Sequence, residues 1–186
     1  MVVIGWVVFG LSVVQTAPQA PNFGTPSIVP FRLVDQSNRA VSERDVLGRP
    51  TVAFFGFTYC PEVCPTSLAS LTSLLQRMGP AGNEFAVIFV TVDPERDTPQ
   101  ALAEFLSSFD PRIRGLTGSI DEIGRVAKGL GVYYRRQALP GGGYTMDHTA
   151  SLFLLDARGR FVGTISYGEN AEVALEKLKR LAGTGF

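Results

Sequence analysis

Two continuous apolar runs, 51–58 (TVAFFGFT) and 85–92 (FAVIFVTV), stand out along the chain and predict central strands buried on both faces. Between them apolar residues recur at Leu68, Leu71, Leu75 and Met78, the spacing of a helix with one buried face. The segment Gly79-Pro80-Ala81-Gly82 ends that helix. Upstream, 31–35 (FRLVD) alternates apolar and polar, Gln36-Ser37-Asn38 turns, and 39–41 returns as a short strand, so a β-hairpin is expected. Residues 42–47 read as one helical turn stopped by Gly48. Downstream, Thr98 caps a helix with Pro99 in its first turn, running through Leu102, Phe105 and Leu106. A short strand fits at 116–118. Ser119 and Glu122 form a capping box for a helix through Ile123, Val126, Ala127 and Leu130, ended by Gly131. Residues 135–146 are polar and glycine-rich without periodicity, and read as a loop. Strands at 151–155 and 160–166 flank an Asp156-Ala157-Arg158-Gly159 turn. Asn170 caps a last helix with an apolar stripe of Val173, Ala174, Leu178 and Leu181. This order predicts an α/β fold: a thioredoxin-like three-layer α/β/α domain with an N-terminal β-hairpin and a mixed sheet.

The N-terminal pattern differs. Residues 1–14 (MVVIGWVVFGLSVV) are apolar and uncharged, shorter than the roughly twenty residues a spanning helix needs, and lack the basic start of a signal peptide. The expectation is an N-terminal membrane anchor over 1–17, cut short at its start; a strand or buried helix is the alternative. Residues 18–30, with Pro18, Pro21, Pro26 and Pro30, suit an extended tether, and 31–183 form the folded domain. With such an anchor, the domain is expected on the extracytoplasmic, periplasmic side of the cytoplasmic (inner) membrane. Composition narrows the function further. The 186 residues fit one domain, and 17 basic residues balance 17 acidic ones, so no basic field exists to hold nucleic acid. Two cysteines are too few for a disulfide scaffold.

Those two cysteines, Cys60 and Cys64, fall where the first buried run turns into a helix, at the sheet edge where α/β folds place their sites. Pro61 and Pro65 disfavour helical backbone at the residues before them. Pro65 suits a first helical position, which would put Cys64 near the N-cap and Cys60 on the loop leading in. A sulfur at a helix start sits at the positive end of the dipole, which favours the thiolate that attacks disulfides and binds soft metals. Two inert core cysteines are the alternative, but flanking prolines fit a loop better than a strand or helix. His148, the chain's single histidine, precedes the strand SLFLL. A thioredoxin-like topology would bring it across the sheet end to the cysteine turn. Asp93, in DPERD after the second buried run, is expected near the site or as a turn residue. Arg96 and Asp97 are expected to pair with each other or face solvent. Gly141-Gly142-Gly143 lacks the Lys-Ser/Thr of a phosphate loop and reads as flexibility that opens or closes the site.

Four stretches carry a resemblance: FFGFTYCPEVCPTSL at 54–68, VTVDPERDTPQAL around Asp93, GLTGSIDEIGRVAKGLGVYY from Gly115 and YTMDHTASLFLLDARGRFVG from Tyr144. In this order, over 50–163, they resemble the Sco (SenC) family of copper-binding, thioredoxin-like proteins of cytochrome c oxidase assembly. Glu62 stands where that family usually has aspartate, and Met146 where an aliphatic residue is common. The resemblance implies copper, as Cu(I) and also Cu(II), held by Cys60, Cys64 and His148. It also implies delivery of copper to cytochrome c oxidase subunit II, with other copper chaperones or thioredoxin-like reductants as further partners. Two thiolates and an imidazole suit Cu(I), whereas structural zinc wants a fourth ligand, for which Asp147 is the nearby oxygen donor. Asp147 is otherwise expected to orient His148 or to add negative charge around a cation. Met146 reads as packing, with a weak thioether ligand as its alternative. Two other functions use the same cysteines. One is a thiol–disulfide reductase that keeps the target's cysteines reduced, with Cys60 and Cys64 as its redox-active pair. The other is a peroxiredoxin-like peroxidase suggested by VCPTS, although Pro61 and Phe57 occupy the positions where that family has threonine and proline.

Overall fold

The structure is a computed structural model that describes residues 26–183. The expected anchor (1–17) and most of the expected tether lie outside the described residues.

The two apolar runs form β3 (Thr51–Gly56) and β4 (Ala86–Thr91), every residue of both buried. They pair in parallel, Phe54 opposite Phe89, and β4 pairs in parallel with β5 (Ile113–Thr117). The intervening connections are the helices α1 (Val63–Met78) and α2 (Pro99–Leu106). Both crossovers step the same way across the sheet, so right-handed connections place α1 and α2 on one face. Gly115 of β5 lets α2 approach closely: a Cβ there would lie 2.6 Å from Leu106 Cδ1. The predicted hairpin is β1 (Arg32–Asp35) and β2 (Ala40–Ser42), turned at Asn38 with φ +58°. On the other side of β3, β8 (Leu152–Leu155) and β9 (Phe161–Ile165) add antiparallel. The resulting seven-stranded mixed sheet has the order β2-β1-β5-β4-β3-β8-β9. The helix α3 (Ile120–Leu130) packs against β1, and α4 (Ala171–Gly183) packs against α1.

Most predicted caps appear. Thr98 Oγ1 accepts from the Ala101 N–H, Ser119 Oγ from Glu122 N–H, and Asn170 Oδ1 from Glu172 and Val173 N–H. Gly131 ends α3 with φ +70°. Four expectations are corrected. The Glu122 carboxylate accepts from Arg32 N–H and Arg125 instead of closing a capping box. The buried stripe of α4 is Ala174, Leu175, Leu178 and Leu181, at i, i+1, i+4 and i+7 on one helix face, which leaves Val173 exposed. The first helix begins at Val63 with Glu62 as its cap, which makes Pro65 the third helical residue. And 135–146 is no loop: β6 (Tyr134–Ala138) and β7 (Tyr144–His148) form a separate two-stranded ribbon, turned through the glycines.

Residues 26–28 are stitched to the domain. Phe161 N–H donates to the Pro26 carbonyl at 2.8 Å, Ser27 N–H to Gly129 at 3.1 Å and Ile28 N–H to Gly159 at 2.8 Å. Among the described residues no helix is long and apolar enough to cross a membrane.

Candidate metal centre

Parallel strands β3 and β4 end at the same sheet edge, and antiparallel β8 begins there. Three loops therefore meet at this edge: the cysteine loop after β3, the 92–98 loop after β4, and the segment joining β7 to β8. Cys60 lies on the first loop, Cys64 is the second residue of α1, and His148 is the last residue of β7. Their ligand atoms all lie within 4.8 Å of one another. Cys64 Sγ is 3.5 Å from His148 Nε2, and neither cysteine is in a disulfide. The expected convergence of Cys60, Cys64 and His148 is therefore present in the geometry.

Each donor is held in place by its surroundings. The first N–H groups of a helix have no intrahelical partner, and here the Cys64 N–H donates to Cys60 Sγ at 3.2 Å. Cys60, not Cys64, thus occupies the anion-favouring position at the helix start. Cys64 is fully buried against Gly56, where a Cβ would come within 2.8 Å of both its Sγ and the Phe89 ring. His148 Nδ1 lies 3.0 Å from the Thr149 carbonyl, which can only accept, so Nδ1 is the donor there and Nε2 is the nitrogen that faces Cys64 Sγ. The ring meets Phe57 and Phe54 edge-on, with centroids 5.8 and 6.2 Å away.

The electrostatics sort the two thiols. Hydrogen bonding from Cys64 lowers the Cys60 pKa from 9.0 to about 4, against the cost of burial and with help from His148 and the backbone N–H groups of Cys64 and Glu62. Cys64 is pushed up from its ordinary value, because it keeps the proton it shares with Cys60 and because it is buried. The thiolate expected at Cys64 belongs to Cys60: one proton serves two sulfurs, and it stays on the deeper one.

Other expected residues fall differently. Asp147 is exposed and sits opposite Arg135 in the ribbon; the His148 ring takes the Thr149 carbonyl instead. Met146 packs against the core. Arg96 and Asp97 do not pair with each other. Arg96 makes an ion pair with buried Asp93, while Asp97 is fully buried and accepts from Thr58 N–H (3.0 Å), Thr58 Oγ1 (2.6 Å) and Thr91 Oγ1 (2.6 Å). Burial pushes the Asp97 carboxyl above its ordinary pKa against those hydrogen bonds. Asp93 contacts the ribbon, accepting from Tyr144 O–H at 2.9 Å. Sequence reasoning missed Gly56, Thr58, Tyr144 and Thr149. A glycine inside an otherwise continuous apolar strand was the signal for Gly56; a backbone carbonyl such as that of Thr149 leaves none.

A thioredoxin-like domain with two sulfurs and one imidazole gathered at the rim of its sheet, a set that could hold a metal ion, is the class this fold and site define. The sequence signature of the SCO1/SenC family matches residues 19–183, and the chain belongs to that family. It is 35% identical over 157 residues to the mitochondrial SCO1 homolog 1 of Arabidopsis thaliana, covering 83% of this chain and 46% of that protein. Against mitochondrial SCO1 of Saccharomyces cerevisiae it is 34% identical over 160 residues, 84% of this chain and 54% of the relative. The chain spans about half the length of these curated relatives. Among solved structures, Bradyrhizobium japonicum ScoI with copper bound is similar with a TM-score of 0.77 and 44% identity, over 83% of this chain and 99% of that one. Yeast Sco1 with copper bound matches with a TM-score of 0.76 and 32% identity, over 85% and 89% of the two chains.

Proposed function

We propose that the protein binds copper as Cu(I) through Cys60, Cys64 and His148 and carries it as cargo for cytochrome c oxidase assembly, delivering it to subunit II. The observation that carries this reading is the gathering of three soft to intermediate donor atoms within 4.8 Å. Cu(I) accepts low coordination and favours thiolate and imidazole, so three donors suffice where structural zinc would want four. Copper-bound relatives of the same fold support the choice of metal. Loading requires the Cys64 proton to leave, because thiolates are the ligands. Release follows by ligand exchange, with an incoming partner thiolate replacing one donor at a time. Residues 1–17 would anchor the domain to the inner membrane, with the metal centre on the extracytoplasmic side.

A second reading, thiol–disulfide reduction of the same target, is favoured by the thiolate on Cys60 with Cys64 beside it. Cys60 would attack a partner disulfide and Cys64 would resolve the mixed disulfide, leaving the partner reduced and this pair oxidised. The peroxidase reading loses support: its nucleophile would be Cys64, which is fully buried and keeps its proton.

A Cu(I) titration of the reduced protein, paired with metallation of oxidase subunit II, tests the proposal. Wild type should take one equivalent, and both His148→Ala and Cys60→Ser should lose tight binding and delivery. Full delivery by His148→Ala would transfer the role to thiol chemistry alone.

A further inference from the structure

The 92–98 loop grips both halves of the metal centre. On one side Asp97 holds Thr58, at the entrance to the cysteine loop, through its backbone N–H and its hydroxyl. On the other side Arg96 and Asp93 hold Tyr144, the first residue of the strand that ends in His148. The second grip matters because His148 rides on a ribbon that shares no strand pairing with the central sheet. A two-stranded hairpin is marginal on its own. Its placement has to come from side chains.

Tyr134 and Met146 pack on the core, and Arg96 ties the ribbon to the loops of the site. Its Cζ lies 3.9 Å from the centroid of the Tyr144 ring and 4.7 Å from that of Tyr59, beside Cys60. Its Nη1 donates to the Tyr144 carbonyl at 3.1 Å, and the Tyr144 hydroxyl closes the circuit on Asp93, the ion-pair partner of Arg96. Nη2 is buried without a hydrogen-bond partner, so ring faces account for part of the hold. A further contact reaches the imidazole from behind: Arg96 Cζ is 5.9 Å from the Phe57 centroid, and Phe57 meets His148 edge to face. Across the Tyr144 ring, Arg136 stacks at 3.8 Å while paired with Glu95 of the same loop.

We propose that Arg96 is a positioning residue that latches the β6–β7 ribbon to the cysteine loop and so sets how long His148 stays on the metal. The inference rests on the copper reading above. A planar, stacked guanidinium is needed, and a lysine ammonium would keep the charge while losing the stack. Opening the latch would withdraw the imidazole and leave copper on two sulfurs, open to an incoming thiolate.

Two measurements test this. In metal-free protein, Arg96→Ala should raise hydrogen exchange of the 134–148 amides while leaving those of α1 unchanged. In copper-loaded protein, Arg96→Ala should speed Cu(I) transfer to a bathocuproine chelator about tenfold, the low end for outer partners of metal ligands. On a His148→Ala background the same substitution should add nothing, because the latch acts only through the imidazole. Equal exchange and equal release in wild type and Arg96→Ala would overturn the proposal. So would an equal acceleration in the His148→Ala background, which marks general loosening. If Arg96→Ala fails to fold, Tyr144→Phe removes the hydroxyl to Asp93 but keeps the ring, and should show the same pattern at smaller amplitude; its absence there is equally decisive. Wild-type release from His148→Ala would instead refute the ligand set, while exchange in the metal-free protein still decides the latch.

Discussion

Cys60 and Cys64 differ by four positions and by which of them holds a proton. With its pKa near 4, Cys60 is a thiolate through the neutral range, while Cys64 is a buried thiol. Iodoacetamide should therefore label Cys60 at a rate that changes little between about pH 8 and pH 6. Peptide mass spectrometry should find Cys64 unlabelled until the protein unfolds. The same separation has a thermodynamic face. Between pH 9.0 and about 4 the native protein has released a Cys60 proton that the unfolded chain retains, so stability falls as pH is lowered through that window. Urea midpoints measured across it should decline toward acid, and Cys60→Ser should flatten the decline. Gly56 is the other residue on which the centre turns. Gly56→Ala places a methyl 2.8 Å from Cys64 Sγ and from the Phe89 ring, and should cost about 1–3 kcal/mol by overpacking. It should weaken Cu(I) binding as well, since the sulfur itself has to move.

At the scale of elements, strands and helix starts were readable because local chemistry and tertiary packing agree. The runs at β3 and β4 are apolar throughout and buried throughout, and Thr98, Ser119 and Asn170 cap the helices they precede. Two elements were misread for physical reasons. A residue before proline avoids helical backbone, yet Cys64 is the second residue of α1, with its sulfur fully buried over Gly56. The β6–β7 ribbon shows no apolar alternation because its apolar contact with the core comes from Tyr134 and Met146, and the ion pairs and stacked guanidinium groups that add to the hold leave no period in the sequence. The Asp97 contacts were equally hidden, being made across 39 positions to Thr58. Removing that carboxylate should be felt through the whole loop. Asp97→Ala leaves the half-buried Thr58 N–H and the Thr58 and Thr91 hydroxyls without their acceptor and should cost about 3 kcal/mol in urea denaturation. Asp97→Asn, which keeps one acceptor oxygen, should cost less.

For the whole molecule, topology made the histidine's position predictable. A segment that precedes the antiparallel neighbour of β3 has to arrive at the edge where β3 ends. The same topology fixes where the chain enters. Pro26, Ser27 and Ile28 bond to Phe161, Gly129 and Gly159, around the turn where β8 passes into β9, and that turn lies at the other end of the sheet from the sulfurs. Six residues of β3 separate the two ends, about 20 Å of extended chain. If the chain before Pro26 is held at a surface, the end of the sheet that carries Cys60, Cys64 and His148 is the one farther from that attachment.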